Sequence, residues 1–182
     1  MVANDRSSIA NGQKTRLHWL VWIFTISFIL HNLEELLRME SFLAQHMDKF
    51  PVFFQKMAGA WQPSSFAIAI WMLNGLTILF AWISTSNGTK VWVKQGLTIF
   101  AALLVCNALS HVLQSIYLGI LVPGIFTAIL LILPISLILL RTAHQNQWLS
   151  RRQWICLLLT SFPLMLLLIF GIMAFSSWIG SL

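Results

Sequence analysis

The sequence has very little charge, and acidic residues are scarcer than basic ones. Asp, Glu, Lys and Arg together make up 9% of the 182 residues, against about 25% in an average soluble domain. Only 5 residues are Asp or Glu, whereas 11 are Lys or Arg, which gives a formal net charge of +6. This composition excludes an ordinary soluble enzyme and a disordered tail.

Cysteine is also scarce, and the two that occur are poorly placed for a disulfide. Cys106 and Cys156 both fall in apolar stretches, so we expect each of them to pack as a small residue in a membrane core. A disulfide-stapled secreted domain is thereby excluded. The basic excess does not indicate nucleic-acid binding, because the sequence has no basic stripe with interleaved polar residues.

Hydrophobic residues are abundant, at 58% of the chain. A transmembrane helix needs about 20 predominantly apolar residues, and several stretches meet that requirement. They cover residues 17–37, 64–84, 96–118, 121–140 and 154–178. The sequence therefore predicts an all-α, polytopic membrane helical bundle with five transmembrane helices. The first is expected to be a retained anchor, because no signal-peptide cleavage pattern follows it.

The predicted organisation is a polar tail followed by one membrane domain. Residues 1–13 are predicted to form a mobile polar N-terminal tail, and residues 14–182 a single five-helix transmembrane domain. Residues 38–63 mix aromatic and charged side chains, which predicts an interfacial cap between helices 1 and 2. A tight turn at Pro123 and Gly124 is predicted to join the third and fourth helices.

The distribution of basic residues predicts the orientation in the membrane. With five alternating spans, most fall on one side, namely Arg6, Lys14, Arg16, Lys90, Lys94, Arg141, Arg151 and Arg152. The other side has Arg38, Lys49 and Lys56. By the positive-inside rule, the N-terminus is predicted to be cytoplasmic and the C-terminus outside, in a plasma or inner membrane.

Two of the scarce acids lie inside the first predicted helix. Four residues there follow a spacing of i, i+3, i+4 and i+7, which places them on one helical face: His31, Glu34, Glu35 and Arg38. Lipid cannot solvate ionisable side chains, so these residues usually face the bundle interior or a wet cavity. A purely structural pairing is the simpler alternative, with Arg38 extending to the interface.

The third predicted helix has a second polar stripe with a similar spacing. It consists of Asn107, Ser110, His111, Gln114 and Ser115. His31 and His111 lie at matching depths, roughly 21 Å and roughly 22 Å along their helices at 1.5 Å per residue. One cavity is therefore expected to gather His31, Glu34, Glu35, Asn107 and His111. For His111 alone, a hydrogen-bonded packing role is equally compatible.

Two kinds of chemistry fit this set. Two imidazoles and one or two carboxylates match a divalent Zn or Fe site, with ligands from His31, Glu34, Glu35 and His111. Without a metal, the same groups form an acid–base pair in which one Glu donates a proton and a His accepts it. The predicted catalytic residues are Glu34, Glu35 and His31. The residues predicted to contact substrate or orient a ligand are Asn107, Ser110, Gln114, Thr127 and Arg38.

The motif differs from established metal signatures. The inverted zinc motif His-x-x-Glu-His ends in histidine, whereas Glu35 ends the string here. A ferritin-like di-iron centre needs more carboxylates than the two that fall within the predicted spans.

The string His31, Glu34 and Glu35 resembles the motif of the HxxEE domain family of small membrane proteins. A second block is also similar, an Asn-x-x-x-His helix and a Pro-Gly turn, formed here by Asn107, His111, Pro123, Gly124, Thr127 and Pro134. The resemblance covers most of residues 17–140 and implies a shared motif rather than a particular reaction. The apolar residues 118–122 depart from the family, where more polar or basic residues are expected.

Several functions remain open from the sequence. The first is an intramembrane, metal-dependent enzyme that acts on a lipid or isoprenoid-like hydrophobic substrate. The second is a metal-free Glu/His isomerase or cyclase, by a looser likeness to the sterol-isomerase-like membrane fold. The third is a carrier or binding protein for a metal ion, a proton or a hydrophobic small molecule, which with so few helices would work as a homodimer.

The fourth hypothesis is a membrane scaffold, in which the polar stripes only hold the helices together. It is disfavoured because two adjacent glutamates inside a span are costly. Under all four hypotheses the lipid bilayer is a partner of the protein, and none of them involves nucleic acid.

Overall fold

The computed structural model describes the backbone of residues 2–59, 63–87 and 90–180, and the side chains of residues 15–55, 64–87 and 90–180. The helices in these ranges are α1 (Val2–His46), α2 (Val52–Gly59), α3 (Pro63–Asn87), α4 (Val91–Leu118), α5 (Ile125–Thr127), α6 (Leu133–Gln145) and α7 (Arg151–Gly180). A 3-10 turn at Met47–Lys49 follows α1, and a π-helical segment at Ala128–Ile132 joins α5 to α6.

Five helical stretches are long and apolar enough to cross a membrane. They are Thr15–Lys49, Ser64–Asn87, Val91–Leu118, Ile125–Gln145 and Arg151–Gly180. The predicted all-α bundle with five membrane-length helices is therefore confirmed. Because α1 begins at Val2, it includes residues 2–13 of the predicted tail, and the side chains of residues 1–11 and 13 lie outside the described residues.

Several helix boundaries differ from the sequence prediction, and two of the differences lie close to the polar stripes. The first helix continues to His46, so the cap region starts later than residue 38 and contains the short helix α2. The fourth span starts at Ile125 rather than at residue 121. Gly119 and Gly124 have φ of 67° and 84°, a left-handed conformation that ends α4 and delays the next helix. Hydropathy misses this boundary because the residues between the two glycines are themselves apolar.

The apolar core lies between α1, α4 and the α5–α6 span. It includes Phe24 and Phe28 of α1, Leu97 and Ala101 of α4, and Ile132 before α6. Helix α3 packs on α1 and α7, and α4 packs on α6 and α7. Inside a bilayer these contacts stabilise the bundle by close packing, since lipid tails are as apolar as the core. The polar stripes lie directly beyond this core along α1 and α4.

The π-helical segment lies just before Pro134. Proline has no N–H, and in an α-helix its ring clashes with the carbonyl four residues earlier. A π-turn inserts one residue per turn and so relieves that conflict. It also changes the helical phase of the preceding residues relative to α6, and Thr127 is one of them. The orientation of Thr127 therefore depends on this local irregularity.

A buried amide pair joins α1 to α3, and it provides a stability prediction. Asn32 Nδ2 donates to Asn74 Oδ1 at 2.7 Å. We expect Asn74→Leu to lower the free energy of unfolding by about 1–2 kcal/mol, because Asn32 is left buried without its partner. The double variant Asn32→Leu/Asn74→Leu should recover part of that loss.

Thermal unfolding in detergent measures both effects. Thr160→Leu is the matched control, because Thr160 is exposed on α7 and donates to the Cys156 carbonyl of its own helix. If the double variant is less stable than Asn74→Leu alone, the amide pair is not the source of the effect.

Candidate functional site

Two histidines and one glutamate converge where α1 and α4 pass beyond the apolar core. Glu35 Oε1 lies 3.0 Å from His111 Nε2 and 3.7 Å from His31 Nε2. One ligand atom from each residue can be chosen so that all three lie within 4.8 Å of one another. His31 and His111 are 0% and 6% exposed, and the Glu35 side chain is 16% exposed. We call these three residues the ligand group.

Hydrogen bonds determine which ring nitrogen of His31 is protonated. Thr127 Oγ1 donates its single hydrogen to Glu34 Oε2 at 2.6 Å, a nearer and stronger acceptor than the Gly124 carbonyl at 3.2 Å. His31 Nδ1 lies 3.0 Å from the same hydroxyl oxygen and therefore donates to it. In the neutral ring, Nε2 then keeps a lone pair, which accepts from Asn107 Nδ2 at 2.9 Å.

This arrangement prepares His31 for chemistry at Nε2. The Nδ1–H bond to Thr127, supported in turn by Glu34, fixes both the ring orientation and the tautomer. The lone pair at Nε2, which accepts from Asn107 in the structure, is the one that a metal ligand or a proton acceptor requires. Thr127 and Glu34 therefore act on the ligand group through His31.

Glu34 has a different environment from its neighbour Glu35. Its Oε2 accepts from the Thr127 backbone N–H at 2.9 Å and from the Thr127 hydroxyl, and its Oε1 accepts from Arg38 Nη1 at 3.3 Å. The Arg38 guanidinium also lies 5.6 Å from the centre of the Phe126 ring. Within the described residues, the ligand group contains Glu35 and not Glu34. From the sequence, both glutamates were predicted to be metal ligands and catalytic residues. In the structure, Glu35 contacts the two histidines, whereas Glu34 contacts Thr127 and Arg38.

His111 has one satisfied and one unsatisfied ring nitrogen. An ionised Glu35 only accepts, so His111 Nε2 donates to Glu35 Oε1 across the 3.0 Å contact. His111 Nδ1 is buried and has no hydrogen-bond partner among the described residues. If a cation takes the place of the Nε2 hydrogen, the neutral ring must carry its hydrogen on Nδ1. A cation at Nε2 would therefore require His111 to change tautomer, whereas His31 already carries its hydrogen on Nδ1.

The turn before α5 closes one side of the ligand group. A Cβ built on Gly124 would lie 2.9 Å from Cε1 of both His31 and His111, and 3.0 Å from Glu35 Cγ. The two imidazole rings meet edge to face, with centroids 4.9 Å apart. Gly124 is thus required both for its left-handed backbone and for its close approach. The Pro-Gly pair predicts the turn, but nothing in the sequence indicates that the turn packs on the histidines.

The other predicted site residues differ in how they lie relative to the ligand group. Asn107 lies at the centre, with Nδ2 also 3.5 Å from His111 Nε2. Ser110 Oγ donates to the Asn107 carbonyl of its own helix, and Gln114 is exposed. Ser115 Oγ, which was not among the predicted site residues, accepts from the Val122 N–H at 3.2 Å and so holds the turn against α4.

The three side chains fit a divalent cation. Zinc with nitrogen and oxygen ligands at about 2.0–2.2 Å in a tetrahedral site places ligand atoms about 3.3 Å apart. The separations from Glu35 Oε1, 3.0 Å and 3.7 Å, bracket that value, and ligand atoms of all three residues lie within 4.8 Å of one another. Two histidines and one carboxylate are also the ligands of non-haem Fe(II) sites. The donor set therefore suits Zn or Fe and leaves coordination positions for water or substrate.

Comparison with known proteins identifies one family. Residues 22–139 match the model of a family described as "Protein of unknown function with HXXEE motif". The match includes both the α1 and α4 sides of the ligand group and the turn that closes it. No curated protein and no solved structure matches the chain.

Proposed function

The chain belongs to the family of proteins with an HXXEE motif, and from this and the site geometry we propose that it is an intramembrane enzyme with a mononuclear divalent metal site. His31, Glu35 and His111 would be the protein ligands. The observation that carries the proposal is the convergence of two buried imidazoles and one carboxylate within 4.8 Å. They converge between helices long and apolar enough to span a membrane.

Bound Zn or Fe would supply a Lewis acid that polarises a substrate oxygen or activates a water. The chain's own groups prepare the site for it. Glu34 and Thr127 hold His31 with Nε2 toward Glu35. With the His31 Nε2 lone pair engaged by a metal, the Asn107 amide that donates to it at 2.9 Å in the structure would be released to orient a polar group of the substrate.

The proposed substrate is a lipid or an isoprenoid-like hydrophobic molecule. His31 and Glu35 belong to the span Thr15–Lys49, and His111 belongs to Val91–Leu118. A membrane-soluble substrate could reach groups within these spans directly from the bilayer. The lipid bilayer is then both the partner of the protein and the source of its substrate.

The orientation in the membrane is also part of the proposal. The excess of Lys and Arg on the side of the N-terminus supports a cytoplasmic N-terminus and an external C-terminus. The ligand group would then lie in the outer half of a plasma or inner membrane.

A metal-free acid–base enzyme is the second candidate, and one contact favours it. The 3.0 Å contact between His111 Nε2 and Glu35 Oε1 is short enough for proton transfer without a metal. An isomerase or cyclase would use such a pair to add and remove protons on a hydrophobic substrate.

Metal content tests the first candidate against the second. We expect purified protein to contain about one equivalent of Zn or Fe per chain, and His111→Ala to lose it because one of three ligands is gone. Elemental analysis of detergent-purified protein is the measurement. Gln114→Ala, an exposed position on the same helix, should retain the metal. Wild-type protein that binds no stoichiometric Zn or Fe(II), even when either is added, would reject the metal site and leave the acid–base pair.

Lipid composition tests the enzymatic role. Mass spectrometry of lipids from membranes that contain the wild type or His31→Ala should show one species consumed and a related species formed by the wild type only. If no lipid species differs while the wild type is loaded with metal, the protein is a carrier or binding protein instead.

A further inference from the structure

A polar pocket lies next to the ligand group, on the other side of the turn that closes it. Its volume is about 220 Å³, and its lining includes Arg38, Phe42, Gln45 and His46 of α1 and Pro123 of the turn. Small-molecule sites usually measure about 300–1,000 Å³. The pocket is therefore large enough for a head group and too small for a whole lipid.

The polar lining of the pocket is suited to an anion. Among the described residues, no carboxylate lines it, and Arg38 supplies a permanent positive charge. Arg38 Nη1 contacts Glu34 at 3.3 Å, but a guanidinium has five N–H donors, so most remain available. The Arg38 side chain is 47% exposed.

Two further polar side chains accompany Arg38. His46 Nδ1 donates to the Phe42 carbonyl at 3.1 Å and the ring stacks on Phe42, so Nε2 of the neutral ring keeps a lone pair that can accept a hydrogen bond from a ligand. The Gln45 amide is exposed at the same place. Ser41 also lines the pocket, but its hydroxyl already donates to the Arg38 carbonyl. The groups left for a ligand are thus one guanidinium, one imidazole and one amide.

The pocket is connected to the ligand group by two short links. Pro123 lines the pocket, and the next residue, Gly124, packs against both imidazoles. Arg38 in the pocket contacts Glu34, which fixes His31 through Thr127. A molecule held in the pocket by its head group would therefore lie against residues that adjoin the ligand group.

We propose that this pocket binds the phosphate head group of an amphiphilic substrate, which makes the substrate class a phospholipid or an isoprenoid phosphate. The proposal rests on the enzymatic role proposed above and narrows its substrate. A monoprotonated phosphate fits better than a carboxylate, because its oxygens can accept from the Arg38 guanidinium and the Gln45 amide while its remaining hydroxyl donates to His46 Nε2.

Titration of the full-length protein in uncharged detergent tests the pocket. The probes are phosphatidic acid, diacylglycerol with the same acyl chains, a fatty acid, and inorganic phosphate. We expect phosphatidic acid to bind more tightly than the other three. Arg38→Gln should raise its Kd about tenfold, because a charge-assisted hydrogen bond is lost. Arg141→Gln, an exposed basic position on α6, is the matched control and should leave the Kd unchanged.

Gln45→Leu provides a second variant that leaves the contact between Arg38 and Glu34 intact. It should raise the Kd for phosphatidic acid by a smaller factor, without changing the metal content. Equal binding of diacylglycerol, or a Kd insensitive to Arg38→Gln and Gln45→Leu, would overturn the phosphate pocket. Inorganic phosphate that binds as tightly as phosphatidic acid would mean a site for free phosphate and overturn the lipid head group. Metal content, measured on the same samples, tests the metal site separately from the pocket.

Discussion

Replacing Glu35 with glutamine should lower the affinity for Zn far more than the same change at Glu34. Glu35 belongs to the ligand group, with Oε1 3.0 Å from His111 Nε2, whereas Glu34 acts on His31 through Thr127. Loss of a hydrogen-bond partner behind a ligand usually costs about 10–100-fold in metal affinity. We expect a loss in that range for Glu34→Gln, and a loss of more than about 100-fold for Glu35→Gln, which removes a ligand charge.

Competition with a chromophoric chelator measures both affinities in detergent. Glu40→Gln is the matched control, because Glu40 is an exposed acid on the same helix. The control should bind Zn as the wild type does, which excludes a general effect of lost negative charge. Equal losses for Glu34→Gln and Glu35→Gln, or a larger loss for Glu34→Gln, would contradict the division of roles between the two glutamates.

Gly124→Ala should destabilise the protein and weaken metal binding, whereas Gly119→Ala should only destabilise it. Both glycines have left-handed backbones, with φ of 84° and 67°, so both substitutions cost about 1–2 kcal/mol of conformational energy. Only at Gly124 does the added methyl meet His31, His111 and Glu35, at 2.9–3.0 Å. That crowding should cost a further ~1–3 kcal/mol and displace the imidazoles from their positions.

The pair of variants separates backbone strain from crowding of the ligand group. No atom lies within 4 Å of a Cβ built on Gly119, so its variant reports the backbone cost alone. Thermal unfolding and Zn titration of both variants are the measurements. If the two variants lose equal stability and both keep wild-type Zn affinity, Gly124 does not form the closed side of the ligand group.

The helical spans follow almost directly from the sequence. A run of about 20 apolar residues has few alternatives to a membrane-length helix, and each of the five predicted runs overlaps one of the five membrane-length helical stretches among the described residues. The two polar stripes could also be predicted from the sequence, because residues three and four apart share one face of any α-helix. Matching depth then correctly brought His31 of α1 and His111 of α4 together.

The different contacts of Glu34 and Glu35 could not be predicted from helical spacing. Adjacent residues on a helix point about 100° apart, so the two carboxylates face different neighbours. Which neighbours they meet depends on the turn and α5, whose position is set by two left-handed glycines and a π-helical segment. Hydropathy contains no signal for either feature, which is why the fourth span was predicted to start at residue 121.

The sequence by itself determined that this protein has five membrane-length helices and that the two acids within its predicted spans lie close to His31. These properties are local, since they depend on the length of apolar runs and on helical periodicity. Only the tertiary structure decided that Glu35 joins His31 and His111 while Glu34 contacts Thr127 and Arg38. The physical reason is that each carboxylate takes the donors that distant segments place within about 3 Å of it, and that placement depends on the packing of the turn and α5 against α1.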